Sequence, residues 1–441
     1  MPGAGPILAP NHMFWHQQLE TLDRPSLEVL QIERLRETIR RLERVPFYRD
    51  KFLQSGVKPE AIKSSDDVRR LPFTTAADLR ETYPAGLLAV SRDEVIRLHT
   101  TSGSTGKPKA VFFSRRDVDT AADLIARALC MTGVTRSDVF QNMMGYGLFT
   151  GGLVMHYGAE KVGCMVIPAG PGTSERQLML MQDFRTTVVH ILPSYALYFA
   201  DFLERKGVDP RKDLSLRKAF VGAEAHTEET KNKIEAALGL DVYNSYGLTE
   251  MNGPGVAFEC ESKCGMHLWE DNYILEIINP ATGEAVGEEE TGELVLTSIN
   301  REAMPLLRYR TRDLTSLLPG PCACGRTHRR IHRIKGRSDD MLVVRGVNIF
   351  PQQIERVLMS MPQIGHNYLI LLEGLDEMTV RVELSPAAFD GEVGHVAELQ
   401  NQVAEKLRAE IWVRPKVDLV ASGSLPVAEG KAKRVIDKRS L

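Results

Sequence analysis

The stretch TTSGSTGKPK, residues 100–109, gathers hydroxyls on Thr100, Thr101, Ser102, Ser104 and Thr105 with the ammonium groups of Lys107 and Lys109. Gly103 and Gly106 let a backbone close around an anion without Cβ interference, so the loop has the makings of a mobile clamp for a polyphosphate tail. It is not a Walker loop, which needs four residues between its glycines and Ser or Thr after the lysine. Only Ser104 and Thr105 separate the glycines here, and Pro108 follows Lys107. The flanking EVIRLHT and AVFFS both read as β-structure, so the loop joins two strands instead of feeding a helix N-terminus. An ordinary glycine-rich hairpin has the same composition, and the loop alone does not choose between the two.

A second chemical feature is the cysteines. Cys130 and Cys164 stand alone, whereas CESKCGMH supplies Cys260, Cys264 and His267, and PCACGRTH supplies Cys322, Cys324 and His328. Grouped Cys and His in a reducing compartment argue for a metal and not a disulfide. Four ligands from two clusters would close a tetrahedral, structural zinc site. The first choice is Cys260, His267, Cys322 and Cys324, with Cys264 or His328 as substitutes; spacing does not fix the fourth ligand. Unligated thiols are the alternative reading.

These residues must be held by a chain of 441 residues, long enough for two or more domains. With 43% hydrophobic and 26% charged residues it has ample material for a core. A formal net charge of -3 gives no reason to expect a nucleic-acid or anionic-membrane partner. The N-terminus lacks the pattern of a secretory signal, and no run approaches the roughly 18 apolar residues of a membrane span. Sparse cysteines fit a cytoplasmic location.

Leu27, Leu30, Ile32, Leu35, Ile39 and Leu42 recur at helical spacing, predicting an amphipathic helix that Pro46 ends. The following 250 or so residues alternate apolar strands with helices, as in TTVVHILPSYALYFADFLERKG, which implies α/β layers. KAFVGAE and DVYNSYG read as buried strands running into loops. YILEIINPATGEAV and GELVLTSI predict a smaller antiparallel sheet. Beyond RIKGRSDD come a strand, a helix, a strand pair, a helix and KVDLVAS as the last strand, a compact α+β unit. The expected division is 1–336, a large multi-layer α/β domain with the extra antiparallel sheet, and 337–441, a small α+β domain.

In this order along the chain, the phosphate-type loop, VGAEA, YNSYGLTEM, LRYRTRDL, RIKGRSDDMLVVRGVNIFPQQIE and LPVAEGKAKR resemble the motifs of adenylate-forming enzymes. The wording of RSDDMLVVRGVNIFPQQIE, LRYRTRDL and HLWED is most similar to the phenylacetate-CoA ligase family. The resemblance covers nearly the whole chain. It implies that an acid and ATP form an acyl-adenylate and pyrophosphate, and that coenzyme A then takes the acyl group and releases AMP. Thr101, Ser102, Gly103, Ser104, Thr105, Gly106 and Lys107 would hold the β- and γ-phosphates. Gly222, Ala223, Glu224, Asn244, Ser245, Tyr246, Gly247 and Thr249 would form the adenine segments, with Tyr246 stacking on the base. Asp313 would accept from both ribose hydroxyls, because two carboxylate oxygens match a cis-diol, and Arg337 would approach the ribose. Glu250 would hold Mg2+, and Lys431 would place its ammonium between the substrate carboxylate and the α-phosphate.

By the same resemblance Asp339 is the hinge about which the small domain turns, and Arg345 and Gly346 line the coenzyme A tunnel. Tyr146, Gly147, Phe149 and Gly151 fall where the family recognises the acyl group. Aromatic and methionine side chains there suit a ring sandwiched beside small residues, and the same side chains would equally serve as core. Phenylacetate, a substituted phenylacetate, an indoleacetate and a benzoate are all compatible. The implied partners are an aryl carboxylate, ATP and coenzyme A, with a homodimer suggested by the family. An adenylyltransferase that forms an AMP adduct without a coenzyme A step is the alternative. A non-catalytic nucleotide-sensing scaffold would have no use for Lys431 in a terminal loop.

Overall fold

The computed structural model describes residues 13–64, 66–101, 108–373, 377–385, 393–426 and 432–439. The architecture is mixed α/β, as the alternating pattern predicts, and the chain forms two compact units. One comprises Met1–Gly170, Thr187–His190 and Tyr243–Arg333; the other comprises Pro171–Thr186, Ile191–Val242 and Ile334–Leu441. The expected 336/337 boundary lies three residues past the 333/334 junction, and the second unit also takes in 171–186 and 191–242.

In the first unit, Arg97–Thr100 and Ala110–Phe113 pair antiparallel, Thr100 opposite Ala110, so the glycine-rich stretch does link two strands. Val139–Asn142 pairs in parallel with Met165–Ile167 and Val188–Ile191. Gly253–Glu259 lies antiparallel between Asp241–Leu248 and Met266–Leu268. The smaller antiparallel sheet runs Tyr273–Ile278, Gly292–Ser298, Tyr309–Thr315. Among the described residues no helix is long and apolar enough to cross a membrane.

The amphipathic helix is Arg24–Leu42, with Leu27, Leu35, Ile39 and Leu42 buried and Asp23 capping the Ser26 N–H. It stops before Pro46, which begins a new helix, Pro46–Ser55, instead of ending the old one. The reason is that proline fits the first helical turn, where its missing N–H has no partner to lose.

What fastens this helix is the HLWED stretch, whose acids turn out to be structural. Glu270 takes a bidentate pair from Arg24 at 2.9 and 2.8 Å and a further 2.7 Å bond from Arg329 Nε. Asp271 is gripped by Arg127, from the Arg115–Cys130 helix, at 2.8 and 3.0 Å. Both carboxylates are buried, and each is matched by fork-shaped guanidinium donors that replace water.

In the second unit Ile364–Leu372 pairs antiparallel with Met378–Leu384, and Lys416–Val420 adds in parallel to the latter. KVDLVAS is not the last strand: Val435–Asp437 pairs in parallel with Ile364–Leu372. Three residues carry too little periodicity to be read as a strand. Helix Pro351–Met359 packs on Val393–Ile411 and on Glu228–Leu238. Its buried Glu355 accepts from Thr230 Oγ1 at 2.5 Å and Tyr368 OH at 3.0 Å. Burial pushes that carboxyl up, against those hydrogen bonds.

Burial alone would raise Glu270, yet the Arg24 and Arg329 guanidiniums bring it down to about 2 from an ordinary 4.5. A carboxylate depressed on folding contributes stability above its unfolded pKa and loses it as pH falls through the folded one. The unfolding midpoint should therefore fall as pH drops below 4.5 toward 2. Thermal melts from pH 7 down to 2 should show a lower midpoint at pH 7 but a shallower acid decline for Glu270→Gln; parallel declines would count against this pair.

Candidate active site

Glu250 sits in the short turn Thr249–Met251 between strands Asp241–Leu248 and Gly253–Glu259. The turn closes tightly: a Cβ on Gly247 would lie 2.0 Å from the Gly253 carbonyl oxygen, and Asn252 and Gly253 take φ of 69° and 84°. Only glycine allows the first approach. Glu250 is 3% exposed. Its Oε1 accepts from Tyr309 OH at 2.8 Å and forms an ion pair with Lys109 Nζ. Arg301 donates to the Glu250 backbone carbonyl. Burial pushes the carboxyl up, but the charge and hydrogen bond of Lys109, helped by Tyr309, outweigh it and hold it below the ordinary carboxylate range. The turn therefore presents a buried anion, a hard oxygen donor suited to a divalent cation.

Asp313, on strand Tyr309–Thr315, is brought to Tyr246, whose hydroxyl donates to Oδ2 at 2.6 Å. It lies in a bulge, between Arg310 opposite Val295 and Leu314 opposite Glu293, next to Arg312 at φ 69°. Such bulges re-aim side chains at the edges of sites. Asn244 gives its side-chain amide to Glu259 Oε1 at 2.6 Å and its oxygen accepts from Arg333 at 3.1 Å. Ser245 is buried. Thr101 closes the base of the hairpin, its hydroxyl accepting the Lys109 N–H at 3.1 Å. Ser102, Gly103, Ser104, Thr105, Gly106, Lys107 and Lys431 lie outside the described residues.

The remaining site residues of the adenine, hinge and tunnel expectations belong to the second unit. Gly222, Ala223 and Glu224 follow strand Lys218–Val221. The Glu224 carboxylate accepts from Ser194 and from the Ala432 N–H. Arg337 forms a bidentate pair with Asp339 at 2.9 and 3.0 Å. Arg345 and Gly346, at φ 51° and 74°, make the two-residue turn between Leu342–Val344 and Val347–Ile349. A Cβ at Gly346 would meet nothing within 4 Å.

In the expected acyl region, Phe149 is exposed and precedes helix Thr150–Val162. Added Cβ atoms on Gly147 or Gly151 would meet nothing within 4 Å, so both border open space. Tyr146 is less apolar in its contacts than a ring sandwich implies. Its hydroxyl accepts from Asn142 at 2.9 Å and lies 3.1 Å from His156 Nδ1, while burial pushes its pKa up to about 12.

The first unit also gathers Cys260, His267, Cys322 and Cys324, all buried, with ligand atoms within 4.8 Å of one another. Cys260 and Cys322 Sγ are 3.6 Å apart, and Cys324 Sγ is 3.3 Å from His267 Nε2. Tetrahedral zinc with ordinary bond lengths needs edges of about 3.8 Å for sulfur-sulfur and about 3.5 Å for sulfur-nitrogen. His267 Nδ1 points to the His328 carbonyl at 3.3 Å, so it is Nε2 that faces the cysteines. Cys264 is exposed, and His328 is engaged by Leu19 O and the Glu270 N–H, so neither substitute belongs to the cluster.

Sequence reasoning placed Lys109 on the phosphates, where the structure pairs it with Glu250. It missed Tyr309 and Arg301. Tyr309 stood in the quoted LRYRTRDL, four residues before Asp313, and was the one signal available.

The model described as AMP-binding enzyme matches residues 24–301, and that described as AMP-binding enzyme C-terminal domain matches 346–439. The chain belongs to the AMP-binding enzyme family and, within it, to the phenylacetate-CoA ligases. It is 44% identical to the phenylacetate-coenzyme A ligase of Thermus thermophilus, over 97% of this chain and 100% of that protein. It is also 44% identical to the one of Pseudomonas putida, over 96% of each chain. A solved 2-hydroxyisobutyryl-CoA ligase, in the postadenylation state with 2-HIB-AMP, matches at TM-score 0.92 and 28% identity, covering 99% of this chain and 95% of its own.

Lys109→Met should raise the Glu250 pKa, because it removes the main group that offsets burial. The acid limb of the pH profile for pyrophosphate release should then move to higher pH by about one unit or more. An unmoved limb would take Lys109 out of this role.

Proposed function

We propose that this chain is an ATP-dependent aryl-acetate-CoA ligase that works through an acyl-adenylate. The observation that carries the reading is the pairing of a buried, charged Glu250 with Lys109 and Tyr309, in the same unit as Asp313 and Tyr246. Membership in a family of adenylate-forming ligases and near full-length relatives that ligate phenylacetate support it.

In the first step the acid's carboxylate attacks the α-phosphorus of ATP and pyrophosphate leaves. Both reactants are anions, so positive charge must gather before they approach. Lys431 is the proposed cation between them. Glu250 would hold Mg2+, which would supply positive charge to offset that of the phosphates. Asp313 would bind the ribose, with the Tyr246 hydroxyl on Oδ2 fixing the carboxylate's orientation. The loop from Thr101 to Lys107 would hold the outer phosphates.

In the second step the coenzyme A thiol attacks the acyl carbon and AMP leaves. Residues 337–441 would turn about Asp339 between the steps, with Arg345 and Gly346 at the thiol arm's entry. A turning domain needs a junction able to absorb backbone change. The acyl group would lie against Tyr146, Phe149, Gly147 and Gly151. The buried Cys260, His267, Cys322 and Cys324 cluster fits a zinc ion that is structural, since four protein ligands leave no place for substrate. A homodimer acting in the cytoplasm completes the proposal, on the strength of the family resemblance and the cysteine usage.

A panel of aryl carboxylates assayed by pyrophosphate release, with and without coenzyme A, tests the reading. Phenylacetate-like acids should give sustained turnover only with coenzyme A; sustained AMP formation without it would favour an adenylyltransferase instead. Metal analysis of Cys322→Ser, Cys324→Ser protein should show loss of about one zinc per chain relative to the unaltered protein. Full retention would refute the zinc site.

A further inference from the structure

Arg301 is buried, yet among the described residues its guanidinium donates only to backbone carbonyls, and its Nε–H finds no partner. Nη1 reaches the Glu250 carbonyl, and Nη2 reaches the Phe112 carbonyl at 3.0 Å. The planar group also lies over the Phe113 ring, 4.6 Å from its centre. A buried cation with no carboxylate paired to it costs stability, so packing alone does not account for it.

The two carbonyls belong to the two halves of the site. Glu250 carries the buried anion; Phe112 lies three residues after Lys109, on strand Ala110–Phe113. The loop that presents Arg301 is itself pinned. The Asp117 carboxylate, buried in the first turn of helix Arg115–Cys130, accepts the Glu302 N–H at 2.7 Å and the Ala303 N–H at 2.9 Å. It also accepts the N–H of Ser114 at 3.0 Å, and Ser114 directly follows Phe113. One side chain therefore ties the Arg301 loop to the end of the strand that Lys109 leads into. A flat guanidinium fork can hold carbonyls from two stretches of chain at once, whereas a lysine ammonium is a point donor on a flexible stem.

We propose that Arg301 is a positioning residue for metal binding at Glu250: by joining the Glu250 and Phe112 carbonyls, it sets the direction in which the carboxylate is offered relative to Lys109. This rests on the ligase reading above and on Glu250 as the protein group that would hold Mg2+. Arg301 need touch neither metal nor nucleotide; it acts through the backbone of the turn Thr249–Met251. Without it, Glu250 keeps its own partners but its turn is no longer tied to the strand beyond Lys109.

Electron paramagnetic resonance of Mn2+ titrated with ATP reads metal binding directly, and thermal melts report the fold. Arg301→Met should bind Mn2+ about tenfold more weakly than the unaltered protein. Arg301→Lys, which keeps the charge but reaches one carbonyl at a time, should lose about threefold. A double-mutant cycle separates positioning from general damage. In a Glu250→Gln background, Arg301→Met should add less than about twofold, because the group it positions is gone. Where Arg301→Met does not fold, Arg301→Lys carries the same cycle. Unchanged Mn2+ affinity in the folded variant, its full loss persisting without the Glu250 carboxylate, or failure of both variants to fold would each overturn the proposal. Equal Mn2+ affinity in the unaltered protein and in Glu250→Gln would instead overturn the metal reading of Glu250, and this inference with it. Absence of ATP-pyrophosphate exchange in a protein that binds Mn2+ through Glu250 would overturn the ligase reading alone.

Discussion

A carboxylate sealed from water keeps its charge only where other groups supply what water did. Glu250 meets that condition. The turn that carries it is closed by the contact between Gly247 and Gly253, and its single charge is met by Lys109, just before strand Ala110–Phe113, and by Tyr309 from the start of Tyr309–Thr315. Three stretches of chain, far apart in sequence, must therefore arrive together for the anion to survive. An ion pair of this sort contributes little net stability, but losing one partner strands the other. The rest of the proposed chemistry depends on this arrangement, because a protonated Glu250 would have nothing to offer a metal-bound polyphosphate.

The same unit uses buried charge for a second purpose. Glu270 and Asp271 are paired with Arg24, Arg329 and Arg127 and fasten two helices. They differ from Glu250 in their partners. Bidentate guanidinium forks are strong and rigid, suited to permanence. Lysine is a compact point charge on a flexible stem, suited to being displaced when phosphate arrives. The choice of base beside each acid thus separates scaffold from site. In the proposed zinc reading the cluster of Cys260, His267, Cys322 and Cys324 is scaffold by the same logic, since four protein ligands would close it.

Local features were legible in the sequence and long-range ones were not. The hairpin around the glycine-rich loop, the helix with Leu27, Leu35, Ile39 and Leu42 on its buried face, and the strand pair Ile364–Leu372 with Met378–Leu384 all follow from periodicity over a few residues. Pro46 was read as a stop because proline breaks helix interiors, but it also starts helices. Val435–Asp437 escaped because three residues show no period. Spacing left open which residue groups with Cys260, Cys322 and Cys324, and in the structure His267, on Met266–Leu268, lies beside them. The Lys109 to Glu250 pair and the Glu224 grip on Ala432 join residues more than a hundred positions apart, and no local pattern announces them. HLWED, picked out for its family-like wording, holds a structural ion-pair cluster at Glu270 and Asp271 and sets His267 beside the three cysteines.

The most direct test of the central claim is electron paramagnetic resonance of Mn2+ titrated with ATP into the unaltered protein and into Glu250→Gln. If the buried carboxylate is the metal's protein ligand, Mn2+ in the presence of ATP should be immobilised by the unaltered protein and bound at least about tenfold more weakly by the variant. Equal Mn2+ affinity and identical spectra in the two proteins would contradict the account.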